Sequence, residues 1–153
     1  MLSIRAAEKF DAAEIAALYL ASRKLLSAYA PLMHSDKNIF DWIENSLIPS
    51  GGVTVALIEN KIIGMSATSW HGGFGWIDQL YIVPQHIGQG AGTALLMYAL
   101  QKLPPPIRLY TFQANDSASR FYQRHGFVAI EFSDGANSEE RAADILYEYK
   151  PFN

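Results

Sequence analysis

Three glycines at alternate positions, Gly88, Gly90 and Gly92, stand between an apolar segment and a helix-forming one. The segment before them, Leu80-Tyr81-Ile82-Val83, is β-branched and aromatic and stops at Pro84, which cannot donate to a sheet ladder. After them, Thr93 to Leu100 carries strong helix formers and no breaker. A strand, a glycine turn and a helix start suit an oxyanion. The first turn of a helix leaves N–H groups unpaired, its dipole favours negative charge, and glycine lets backbone approach a phosphate closely. No Lys or Arg lies between Asp78 and Leu100. A phosphate here would be held by main-chain N–H groups from Gly88, Gln89, Gly90, Ala91, Gly92 and Thr93.

Two familiar phosphate loops do not match. A P-loop needs Lys and Ser/Thr directly after its last glycine, and no Lys follows any of these three. A dinucleotide fold needs Gly-x-Gly-x-x-Gly with an acidic residue about twenty positions on, where this chain has only Leu-Tyr-Thr-Phe. A second segment decides the matter: Asn115, Ala118, Phe121-Tyr122 and Gly126-Phe127. Together with Leu80-x-Ile82-x-Pro84 and Ile87-Gly88-Gln89-Gly90-Ala91-Gly92, it resembles the two-motif pattern of the GNAT superfamily of acyl-CoA-dependent N-acyltransferases. Gln85-His86-Ile87-Gly88-Gln89-Gly90 also matches the loop motif literally. The gap from Pro84 and the Leu95-Leu96 pair favour the later register, which puts Ile87 where the family usually has Gln or Arg.

The resemblance covers about residues 53 to 132 and implies roles. Main chain at Leu80, Tyr81 and Ile82 would pair with the pantetheine arm of acetyl-CoA as an added strand, and one N–H there would hold the developing oxyanion. N–H groups from Gly88 to Thr93 would take the pyrophosphate, and Asn115 the pantetheine side. Tyr122 would be the general acid for the departing thiolate. That role is chemically reasonable: a thiol with a pKa of roughly 8.5 leaves beside a phenol near 10. Without the motif, Tyr122 reads as a core residue packed on Ala118 and Phe121.

The general base stays open. Asp78 lies four residues before Ile82, which by strand alternation is the same face; it also reads as a strand-end carboxylate facing solvent. Glu139, Glu140 and His34 are further candidates. Trp70, Trp76, Tyr110 and Phe112 could wall an acceptor pocket, although aromatics at period two are more often core. Arg120 and Arg124, one turn apart, could meet a ribose phosphate, and a solvated face is the simpler reading. The four histidines are too scattered for a metal site, and with no Cys there is no thiolate nucleophile to carry an acyl group. Direct attack by a primary amine in a ternary complex is therefore expected. A binding module that senses acyl-CoA without turnover is the alternative.

These residues need a scaffold. Leu2 to Arg5 alternates as a first strand, and Asp11 with Glu14 suggests a capped helix fading near Tyr29-Ala30. Ser35 or Asp36 can cap a second helix that ends at Pro49-Ser50-Gly51-Gly52. Strands follow from Val53, from Ile62 and from Trp76, joined by Glu59-Asn60-Lys61 and His71-Gly72-Gly73. The helix after the glycines stops at Pro104, and Ile107 to Phe112 returns as a parallel strand. Asp116 or Ser117 can cap the helix that Gly126 closes, and Phe127 to Phe132 with Asp144 to Tyr149 form a closing hairpin. The expected fold is α/β, one domain over 1–153, with a mixed twisted sheet of about six or seven strands and helices on both sides.

Bulk properties narrow the partners. A net charge of −3 argues against a nucleic-acid or anionic-membrane surface. No apolar run approaches the ~18 residues that span a bilayer, and the N-terminus lacks a signal-peptide core. The expectation is a cytoplasmic protein acting on a small-molecule or peptide amine, with a homodimer possible.

Overall fold

Among the described residues, alternating apolar residues build seven strands, and helical spacing builds four α-helices around them. The computed structural model describes residues 1–26, 33–136 and 142–151. In chain order come β1 (Leu2–Ala6), α1 (Ala12–Leu25), α2 (Asp36–Trp42), β2 (Val53–Ile58), β3 (Lys61–His71) and β4 (Phe74–Ile82). They are followed by α3 (Ala91–Lys102), β5 (Ile107–Phe112), α4 (Asp116–Arg124), β6 (Phe127–Ser133) and β7 (Asp144–Tyr149). One mixed sheet runs in the order β1-β2-β3-β4-β5-β7-β6. Every neighbouring pair is antiparallel except β4 and β5, which the α3 crossover makes parallel.

The sheet is covered on both faces. Ile15, Leu18, Ile39 and Ile43, from α1, α2 and the turn after α2, pack on Val53, Val55, Met65 and Ala67. On the other face Leu95, Leu96 and Ala99 of α3 and Tyr122 of α4 pack on Ala56, Ile77, Ile107 and Leu109. Burial of these side chains is the main stabilising term, at about 1.5–3 kcal/mol each before the entropy of ordering is set against it.

Several local expectations hold. Ser35 caps α2, accepting from Asn38 N at 3.2 Å. Glu59 and Asn60 take positive φ in the β2–β3 turn, and Gly126 closes α4 at φ +93°. Others change. Asp11 does not cap α1: its carboxylate accepts from Arg5 at 2.7 and 3.0 Å and from Glu8 N at 2.8 Å. Glu14 reaches across to accept from Ile62 N rather than closing a capping box. Helix α1 stops at Leu25, and its proposed fading near Tyr29-Ala30 lies outside the described residues, as do Glu139 and Glu140.

Two features of β4 position the site. The first is its short contact with β5, limited to Gly75 opposite Ile107 and Trp76 opposite Arg108. Beyond Trp76 the two strands separate, and β5 continues paired with β7 on its other edge. The second is a bulge. Thr68 pairs with Ile77 and Ala67 with Gln79, so Asp78 is the extra residue on β4. The bulge breaks the alternation, and Asp78 does not share a face with Ile82. Ile82 packs with Ala91 and Leu95 on the α3 side. Asp78 instead accepts a 2.7 Å hydrogen bond from Ser69, which alternates with the core residues Met65 and Ala67 on the α1 side.

Candidate active site

The gap between β4 and β5 opens into a cleft of about 630 Å³. Its walls are the end of α1, the free half of β4, the glycine turn with the start of α3, and α4. Eight of the expected ligand-contacting residues line it: Leu80, Tyr81, Ile82, Gly88, Gly90, Gly92, Thr93 and Asn115. Tyr122 lines it too. Gln89, Ala91 and Asp78 are not among its walls. Ala91 is buried in the α3 core, and Gln89 turns its side chain to His86 Nδ1 at 3.0 Å, bracing the loop from outside.

The glycine turn is built by backbone sign rather than by crowding. Gly88 and Gly90 stand at φ +85° and +92°, and a Cβ on either would meet nothing within 4 Å. Any other residue would be strained there by the left-handed backbone itself. The first helical bond of α3 runs from Ala94 N to Gly90 O at 3.0 Å. The N–H groups ahead of it, at Ala91, Gly92 and Thr93, therefore have no helical acceptor, and Gly90 brings no side chain to cap them. This cradle fits the two charges of a pyrophosphate.

Helix α4 supplies the opposite wall. Asn115, not Asp116 or Ser117, is its N-cap, with Oδ1 accepting from Ala118 N at 3.2 Å. The amide nitrogen of Asn115 remains a donor for a ligand. Tyr122 is 9% exposed and wedged between Phe121, Phe127 and Tyr147, with ring centroids 5.2, 5.6 and 6.4 Å away. Burial pushes its phenol above the ordinary tyrosine range. Among the described residues its hydroxyl has no hydrogen-bond partner, so it is a protonated donor facing the cleft.

The other face of the gap carries Asp78. Partial desolvation raises the pKa of its carboxyl, partly offset by the Ser69 hydrogen bond and by His71 nearby, while the side chain stays open to solvent. Beside it, His71, Trp76 and Tyr110 form a stacked row across β3, β4 and β5, with centroids 5.1 and 5.8 Å apart and planes within 8° and 12°. His34 is exposed just ahead of α2.

The sequence reading missed one wall. Ser22, Leu25 and Leu26 follow one another at helical spacing at the end of α1 and line the cleft, and Leu25 is 59% exposed. Ser22 Oγ donates to Ile82 O at 3.4 Å and ties α1 to the free half of β4. Arg124, which could meet a ribose phosphate or sit on a solvated face, also lines the cleft. No spacing signal marks Ser22, Leu25 and Leu26, because their role depends on where α1 ends relative to β4. No group of three or more metal-ligating side chains occurs among the described residues.

Comparison with known proteins agrees with this geometry. The model of the acetyltransferase (GNAT) family matches residues 17–127. An N-acetyltransferase of Archaeoglobus fulgidus is 32% identical over 150 residues, covering 90% of this chain and all of that one. A GNAT-family acetyltransferase from Bacillus cereus superposes with a TM-score of 0.78 at 18% identity, over 100% of this chain and 99% of that one. The PaiA N-acetyltransferase of Thermoplasma acidophilum, solved with coenzyme A, superposes at 0.77 and 19% identity, over 99% of each chain. This chain thus belongs to the GNAT family of acetyltransferases.

Proposed function

We propose that the protein moves an acetyl group from acetyl-CoA to a primary amine by direct attack within a ternary complex. The observation that carries this reading is the single cleft shared by three groups: the unpaired edge of β4, the open start of α3 and the buried hydroxyl of Tyr122. Acetyl-CoA supplies the activated acyl group. The α3 start and its glycine turn hold the pyrophosphate through main-chain N–H groups. The free half of β4 takes the pantetheine arm as an added strand, and Asn115 donates its amide N–H to it. Arg124 at the cleft wall favours a ribose phosphate, so dephospho-CoA binds less tightly than CoA.

In the transfer step the amine nitrogen attacks the thioester carbonyl and the C–S bond breaks. A main-chain N–H in Leu80–Ile82 stabilises the developing oxyanion, and Tyr122 gives its phenolic proton to the sulfur. The proton lost by the acceptor nitrogen passes through water to Asp78. The aromatic row of His71, Trp76 and Tyr110 beside Asp78 supports an acceptor that approaches from the α1 face, with its carbon body against the rings.

Thiol release measured with acetyl-CoA and a panel of arylalkylamines, polyamines, amino acids and peptides tests the proposal. Amine-dependent release with an acetylated product is the expected result. CoA binding with no release across the panel would leave a sensor module instead.

A further inference from the structure

We propose that the chain holds a second ligand site, for a small oxyanion, at the far end of α3 from the glycine turn. A cavity of about 240 Å³ lies there between β1–β3 and the last turns of the helix. Thr54, Ser66 and Thr68 put three hydroxyls on a sheet face that is otherwise packed with apolar side chains beneath α3. Tyr98 and Lys102 close it from the helix side.

Ser66 is the decisive residue. It is 2% exposed, and its neighbours across the sheet are Thr54 and Leu80, the latter packed against α3. Its side chain therefore faces the cavity, and among the described residues its hydroxyl bonds to nothing. The hydroxyl borders the open space of the cavity and is free to donate to a ligand there. Thr68 already donates to Gly52 O at 3.4 Å, but Thr54 and Tyr98 make no hydrogen bond among the described residues. Lys102 forms no ion pair there; its ammonium sits 5.4 Å over the Tyr98 ring.

The unspent groups are thus hydroxyls and one ammonium, a donor set with a single positive charge. That chemistry selects a phosphate- or carboxylate-sized anion. The carbonyl end of the α3 dipole opposes an anion, and Lys102 in the last turn offsets it. The cavity shares no lining residue with the acetyl-CoA cleft, so the site stands independently of the transfer reaction.

The test is calorimetric titration of inorganic phosphate, and separately of acetate, into protein presaturated with CoA so that the glycine turn is filled. Saturable binding of at least one anion is expected. It should weaken about tenfold in Ser66→Ala and in Lys102→Gln, and return in Lys102→Arg. Thermal unfolding of the variants confirms that each is folded. No binding at millimolar anion, or equal binding in wild type and both variants, overturns the proposal. The variant comparison locates the site even if CoA leaves the glycine turn empty.

Discussion

Helices α3 and α4 both begin on the same cleft, and they begin in opposite ways. α3 starts at Gly90 with a left-handed backbone and no side chain over its first turn. α4 starts at Asn115, whose own oxygen satisfies the Ala118 N–H. An uncapped helix start at a cleft leaves donors and positive dipole for something else, whereas a capped one is complete by itself. The difference assigns the two walls different work. In the proposed reaction α3 binds an anion through its backbone, and α4 is the support that presents Asn115 and Tyr122.

The largest effect should come from the supporting wall. Tyr122→Phe removes the proton donor while keeping the ring packing, so turnover should fall about 100-fold or more with CoA affinity unchanged. Single-turnover rates beside equilibrium binding check it; unchanged turnover would remove Tyr122 as the acid. Next is the binding wall. Gly90→Val forces a β-branched residue to φ +92°, and CoA affinity should weaken at least about tenfold. Gly73→Val is the matched control: Gly73 stands at φ +84° in the β3–β4 turn with open space around it and lies outside the cleft, so the same strain should leave the affinity unchanged.

Asp78 sharpens the comparison across the sheet. A base must be deprotonated, and partial desolvation raises this carboxyl. Activity should therefore drop as pH falls through a value above the usual carboxylate figure of about 3.9, and Asp78→Asn should abolish that limb of the kcat profile. A limb that survives the substitution assigns the base elsewhere. The smallest effect is at the α4 cap. Asn115→Ala should cost about 1 kcal/mol of unfolding stability. Asn115→Asp keeps the acceptor and the stability but loses the amide donor, so only CoA affinity should decline.

Much of this was legible from residue types. The strand–glycine–helix order at Leu80 to Leu96, the parallel return at Ile107 and the closing Gly126 each follow from local chemistry that tertiary structure did not override. The side of β4 on which Asp78 lies was not legible. A one-residue bulge depends on how two strands register against each other, and nothing within β4 announces it. The cap at Asn115 was missed for a related reason. Asn115, Asp116 and Ser117 are all competent caps, and only the path of the chain out of β5 selects among them. Asp11 looked like a cap and became the buried partner of Arg5, which holds its carboxyl below the ordinary range. The Ser22–Leu26 wall was invisible because an apolar stripe reads the same whether it faces a core or the rim of a cleft.

The central claim is that the open start of α3 is the acetyl-CoA site. The most direct measurement is thermal unfolding of wild type, Gly90→Val and Gly73→Val with and without CoA. Ligand at a hundred times its dissociation constant stabilises the native state by about 2.7 kcal/mol. The account predicts a dose-dependent rise in Tm for wild type and Gly73→Val, and little or none for a folded Gly90→Val. No rise in wild type at millimolar CoA, or an equal rise in all three, would contradict it.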